Sequence, residues 1–268
     1  MGERVRLDRD GYGGVTVVVD GTPQSYVQPE DPLLLVFEYV QHFALVVGSL
    51  PAGPLAVTHV GGAGLTFPRW VEAVRPGSTQ IVLEPDVEVT DVVRRALPLP
   101  RRHRIRVRPV DGATGMRELV DRSADVVVVD AYAGGRMPAS VTTVEFLTDV
   151  RRVLRPPGVV LVNVADEPRR LFLGRVLATM AAAGYADRLV VATSEVMRGR
   201  RFGNSVVAAS ASPLDVAAVR RGVSTMAFPA GVRHGDEVER IVSGVRPFTE
   251  QEAEESPEPP DLGTWHLR

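Results

Sequence analysis

Residues 57–66 read VTHVGGAGLT, a β-prone apolar run that breaks into glycines and then opens onto a helix-forming segment. Such a turn lets backbone N–H groups approach a ligand closely at the positive end of a helix dipole. The same beat repeats downstream. Apolar runs at Gln80 to Leu83, Ile105 to Val110, Val126 to Val129 and Val159 to Val162 alternate with helix-length segments. Two late runs, Arg188 to Thr193 and Ser205 to Ser210, follow. The pattern predicts an α/β protein built on a doubly wound, mostly parallel, seven-stranded Rossmann-like sheet whose first strand carries the glycine turn.

Upstream, VTVVVDGTPQSYVQ places two β-prone arms around Asp20-Gly21, a hairpin signal. Residues 1 to about 14 are charged and glycine-rich and read as a loose lead-in. Asp31 before Pro32 reads as the cap of a helix from about Leu33 to Val47. The expected organisation is an N-terminal hairpin and helix over 1–50, a nucleoside-binding domain over 51–247 and an acidic, Pro-rich tail over 248–268. The tail's composition predicts an extended, mostly solvated segment with Trp265 as an anchor.

Composition narrows the function. The chain has 268 residues, 44% of them hydrophobic, enough for a full core. A formal net charge of −2 provides no basic field, which argues against nucleic acid as a partner. All 31 basic residues are arginine, which excludes a Schiff-base or P-loop lysine. The absence of Cys removes thiolate chemistry, and with five scattered His no metal is expected. No apolar run approaches the roughly 18 residues needed to cross a bilayer, and no signal-peptide core is present at the N-terminus, so a cytoplasmic location without membrane contact is expected.

Ligands of such sheets bind outside the carboxyl ends of the strands, where the strand order switches. Four strand ends carry candidates: Gly61, Gly62 and Gly64; Glu84; Asp111 with Gly112 and Ala113; and Asp130. Glu84, about 20 residues past the glycines, stands where a carboxylate accepts from both ribose hydroxyls. Asp111 reads equally as a helix N-cap or as an acceptor for an exocyclic amine such as that of adenine, with Gly112 and Ala113 leaving room for the ring. Asp130 ends a run of four valines and precedes Ala131-Tyr132-Ala133-Gly134-Gly135, a loop expected to move as a lid. An acid there can orient or deprotonate an amine attacking an electrophilic carbon, or merely cap the loop. His42, on an apolar helix, reads as a core histidine, and Arg198 to Arg201 as a solvated loop. The glycine turn lacks the third spaced glycine of a dinucleotide site, which makes a nicotinamide dehydrogenase the weaker alternative.

Taken together, these residues resemble the spermidine synthase family of polyamine aminopropyltransferases, which share the class I methyltransferase fold. VDGTPQS is similar to that family's hairpin LDGxxQ, FEYVQH to its YHExxxH helix, and VGGAGLT to its GGGDGGT turn. LEPDVEV is similar to ExDxxV, VDGA to GDA, VVVDAYAG to the DxxDP loop, and the tail FTEQEAEESPEPP to the segment that closes family members. The resemblance implies that Gln24 and the Gly61–Gly64 turn approach the cofactor's tail, that Glu84 holds the ribose and Asp111 the adenine, and that Asp130 is catalytic. Tyr132 would meet the substrate. The cofactor implied is decarboxylated S-adenosylmethionine or S-adenosylmethionine itself, the substrate a small molecule such as a polyamine, and the assembly a homodimer.

The sequence departs from the family at points that bear on chemistry. The Asp of the family's glycine turn falls at Ala63 or Gly64, the second Asp of DxxDP at Ala133 and its Pro at Gly134. Phe37 and Val36 replace a His or Gln and a Tyr. A site for a polycation is expected to be rich in acids. Three functions therefore follow as expectations: aminopropyl transfer, methyl transfer to an unknown small molecule, or nucleoside binding without catalysis.

Overall fold

The computed structural model describes residues 4–260. Three short strands come first: β1 (Val5–Arg9), β2 (Val15–Val19) and β3 (Thr22–Val27), an antiparallel sheet in that order. The hairpin at Asp20-Gly21 is as expected, but the charged lead-in is not loose. Val5 and Leu7 alternate with charged residues, and β1 pairs with β2 from Val5↔Val19 to Arg9↔Val15. Asp10 closes the β1–β2 turn by accepting from the N–H groups of Tyr12 and Gly14 and from the Tyr26 hydroxyl.

Helix α1 (Glu38–Ser49) begins five residues later than expected. Asp31 instead forms a local turn, its Oδ1 accepting from Leu33 N–H at 3.0 Å, and Leu33 and Leu34 remain exposed. The alternating units follow: β4 (Ala56–Val60), α2 (Thr66–Val74), β5 (Thr79–Leu83), α3 (Val87–Ala96), β6 (Ile105–Arg108), α4 (Gly112–Glu118) and β7 (Ala124–Val129). After them come α5 (Val144–Val153), β8 (Leu154–Asp166), α6 (Leu171–Ala182), β9 (Asp187–Thr193), α7 (Ser194–Met197), β10 (Gly203–Ser210), α8 (Val216–Ser224), β11 (Ala230–His234) and α9 (Asp236–Val242).

The large sheet has eight strands, not seven, in the order β11-β9-β10-β8-β7-β4-β5-β6. The added strand, AGVRH, lies at the edge, half-buried throughout and paired antiparallel to β9. Its sequence alternates too little to announce a strand. Strands β4 to β8 run parallel, and β10 is antiparallel to both β8 and β9. The order reverses between β4 and β7, which makes the crevice at their carboxyl ends the switch point.

The valines of β7 explain why that strand is central. Val127 and Val129 enter a core shared with α5 and α6, while Val126 and Val128 enter the opposite core, shared with α1 and α2. A strand buried on both faces needs apolar residues at every position. The small sheet packs through Val5, Val15, Val17 and Val27 onto Val89, Val93 and Leu97 of α3 and its end. Helix α1 packs on the large sheet rather than the small one.

The described part of the tail is extended and largely exposed, as expected, with two exceptions. Phe248 and Ser256 are fully buried within an otherwise largely exposed strap. Trp265 lies outside the described residues. Among the described residues no helix is long and apolar enough to cross a membrane.

Candidate active site

The glycine turn leaves β4 directly beside the end of β7. Val60 C=O accepts from Asp130 N–H at 2.8 Å, and Gly61 N–H donates to Leu83 C=O at 2.9 Å, so the turn is held between β7 and β5. Gly61 has φ +89°, and a Cβ there would collide with the Asp130 carbonyl oxygen, which excludes any larger residue. Ala63 and Leu65 also take positive φ, at 26° and 57°, an unusual concentration of left-handed backbone at one turn.

Glu84 clasps this turn. Its Oε2 accepts from Gly62 N–H at 2.9 Å and Ala63 N–H at 3.2 Å, and its Oε1 accepts from Asp86 N–H at 2.9 Å. A carboxylate offers about four acceptor positions, so Glu84 retains room for one more donor. Gly64 faces away from the crevice toward the small sheet, its N–H donating to Ser25 Oγ at 2.8 Å. A Cβ on Gly64 would strike that hydroxyl. Thr66 Oγ1 donates to Tyr26 C=O at 2.8 Å, a second tie between β3 and the turn. Gln24 is half-buried on β3, one residue from Ser25.

Asp111 is the N-cap of α4, accepting from Thr114 N–H at 2.9 Å; that bond holds its carboxyl below the usual carboxylate range. It stays exposed at the rim. Gly112 packs against Val60 at the end of β4, which brings the start of α4 to the glycine turn, and Ala113 is half-buried beside it.

Asp130 has a different environment. Burial at the mouth of β7 pushes its carboxyl up to about 6, while hydrogen bonding from Asn163 and from the Tyr39 hydroxyl opposes the rise. Asn163 Nδ2 donates to Asp130 Oδ1 at 2.9 Å, and Asn163 Oδ1 accepts from Asn204 Nδ2 at 2.9 Å. Because a carboxylate only accepts, this chain fixes the orientation of the Asn163 amide. Asn163 is 1% exposed, so its polar atoms depend on those partners.

The loop after Asp130, expected to move as a lid, forms a short hairpin. Ala133 and Arg136 exchange backbone hydrogen bonds at 2.9 and 3.1 Å around Gly134-Gly135. Tyr132 sends its hydroxyl to Asn163 C=O at 3.0 Å and accepts from Ala165 N–H at 2.9 Å. The hydroxyl is thereby spent on the end of β8, and only the half-buried ring is left to meet a substrate.

Tyr39, Asn163, Asn204 and Ser25 were missed in the sequence. Asn163 alone left a signal there: an amide inside the apolar run VVLVNV, where a buried polar group requires a partner. Among the described residues no group of three or more His, Cys, Asp or Glu could hold a metal ion.

No family model matches the chain. It is 24% identical over 187 residues to a polyamine aminopropyltransferase of Neisseria meningitidis, covering 65% of this chain and 71% of that protein. A probable spermidine synthase from Corynebacterium glutamicum superposes with a TM-score of 0.85 at 27% identity, covering 92% of both chains. The chain resembles the spermidine synthases in sequence and fold. Its likeness to human methyltransferase-like protein 13 in complex with SAH, at TM-score 0.56 and 19% identity over 80% of this chain, reaches the fold alone. The turn, Glu84, Asp111 and Asp130 follow the carboxyl ends of the neighbouring strands β4, β5, β6 and β7, around the switch-point crevice. The polar chain from Asn204 through Asn163 reaches that crevice from the β8–β10 side.

Proposed function

We propose that the chain transfers an aminopropyl group from decarboxylated S-adenosylmethionine to an amine, with methylthioadenosine as the second product. The observation that carries this reading is Asp130: a carboxylate raised to about 6 at the switch point, at the end of the strand next to the one that carries the glycine turn. The aminopropyltransferase relative and the spermidine synthase likeness support it.

In this reading the nucleoside lies across the ends of β4, β5 and β6. Glu84 accepts from the ribose, the edge of Asp111, Gly112 and Ala113 meets the adenine, and Gln24 with Gly61, Gly62 and Gly64 borders the sulfur side. The acceptor nitrogen attacks the aminopropyl carbon bonded to sulfur. The N–C bond forms, the C–S bond breaks, and sulfur keeps the electron pair as a neutral thioether. Asp130 takes the proton that the acceptor nitrogen sheds. A carboxyl near 6 is mostly ionised at neutral pH yet a stronger base than an ordinary Asp, as that role requires. The Tyr132 ring and the Tyr39 hydroxyl line the acceptor side.

A second reading, methyl transfer from S-adenosylmethionine, draws support from the loop itself: Ala133-Gly134-Gly135 carries no carboxylate for a polycation, and Arg136 places a cation beside it. One experiment separates the readings. Purified protein incubated with decarboxylated cofactor and putrescine is expected to release methylthioadenosine. Release of S-adenosylhomocysteine from the full cofactor instead selects methyl transfer. Calorimetry without heat from either cofactor or methylthioadenosine defeats both.

A further inference from the structure

The chain from Phe248 to Pro260 ties α6 to the loop that follows Asp130. At its near end Phe248 is fully buried against Phe172, with ring centroids 5.1 Å apart, and the Arg175 guanidinium lies 3.9 Å from the Phe248 ring centroid. Arg175 also donates to Glu254 Oε1 at 2.7 Å. At the far end Ser256, fully buried, satisfies both backbone groups of Met137: its Oγ accepts from Met137 N–H at 2.9 Å and its N–H donates to Met137 C=O at 3.1 Å. Arg136 completes the clasp, donating from Nε to Ser256 C=O at 2.7 Å and pairing with Glu255 at 2.8 Å. Pro257 and Pro259 restrict the strap's backbone beyond the clasp, and Pro259 rests against Gly135.

The 131–138 hairpin thus has two moorings of different origin. One leg is held by the Tyr132 hydroxyl on β8; the other is held by the strap and by the Met137 side chain, fully buried in the core, while Ala133 and Gly134 at the tip are exposed. We propose that Ser256 and Arg136 are positioning residues: through them the C-terminal strap sets the pose of the hairpin and so the fit of the acceptor. The inference rests on the acceptor lying beside Asp130, as in the function proposed above. Releasing the clasp takes the strap's hydrogen bonds from the Arg136 leg and leaves the Met137 side chain in the core, the Tyr132 mooring, Asp130 and the glycine turn in place. The nucleoside side is built from β4 and β5 and does not touch the strap in this arrangement, so its affinity is unaffected.

The test compares the full-length protein with Ser256→Ala and Arg136→Gln, the second being a half-exposed site whose loss opens no core cavity. Both are expected to raise the acceptor KM about tenfold, the scale of one buried hydrogen bond, with methylthioadenosine affinity unchanged. Hydrogen exchange is expected to show the Met137 amide losing protection while the β7 amides keep theirs. Glu255→Gln, which leaves Ser256 seated, is expected to give a smaller effect that fades with salt. An unchanged acceptor KM, or Met137 protection equal to wild type in Ser256→Ala, overturns the proposal. Equal losses in acceptor and nucleoside affinity overturn it too, because they describe general loosening. Wild-type protein that releases no methylthioadenosine overturns the functional reading and the acceptor role with it, and the exchange result still decides whether the clasp holds the hairpin.

Discussion

The two halves of the crevice are made of different materials. On the β4–β5–β6 side the polar atoms are backbone N–H groups and carboxylates that cap them: Glu84 holds the turn and Asp111 holds the start of α4. On the β7–β8–β10 side they are side chains in contact with side chains, Asn204 to Asn163 to Asp130, with Tyr39 from a distant helix. The first half is a rigid cradle whose shape follows from local chain geometry. The second is an electrostatic device whose properties depend on burial, and it alone carries a carboxyl raised toward neutrality. In the proposed function the cradle binds and the raised carboxyl reacts. The contrast teaches that, under that proposal, binding and reaction should be alterable separately.

The largest expected effect comes from the reacting half. Asp130→Asn keeps the acceptor for Asn163 and removes the base, so turnover should fall by about 10²- to 10⁴-fold, the usual worth of general base catalysis, while calorimetry should find methylthioadenosine affinity close to wild type. Wild-type turnover should rise with pH through about 6 as the Asp130 carboxyl ionises, and the variant should lack that limb. Loss of nucleoside affinity in Asp130→Asn would break the separation of the halves.

Glu84→Ala probes the cradle. It strips the acceptor from three backbone N–H groups, and charge-assisted hydrogen bonds of this kind are worth about 1.5–3 kcal/mol. Nucleoside affinity should drop about 10- to 100-fold, read by calorimetry, while the pH limb of the remaining turnover stays near 6.

The smallest effect sharpens the picture of the reacting half. Asn163 donates to the ionised form of Asp130 and so holds its carboxyl down against burial. Asn163→Ala removes that donor, and the acidic limb of the pH profile should move upward, by roughly one pH unit for a lost hydrogen bond. A downward shift would mean that water replaces the amide and that burial does not govern Asp130.

Legibility followed the same division. The glycine turn, the strand-end acids and the hairpin at Asp20-Gly21 were readable because each is encoded within a few neighbouring residues: a φ above zero, a cap, a tight turn. Tyr39 was not, because α1 meets β7 only through packing on the large sheet. The role of Asp31 was misread since the same Asx bond serves a helix start and an isolated turn. The strap's two anchors were not read because Glu and Pro dominate its composition, and Ser256 differs from its polar neighbours only in what it touches.

The sequence by itself determined the alternation of strands and helices, the place of the turn and the residues at four strand ends, since periodicity and backbone conformation are local properties of the chain. Tertiary structure alone decided that Asp130 is raised, that Asn163 and Asn204 feed it, that the Tyr132 hydroxyl is spent on β8, and that the tail clasps the hairpin. Those properties arise from desolvation and from contacts between residues as far as 120 positions apart, as in Arg136 and Ser256, and no local pattern records them.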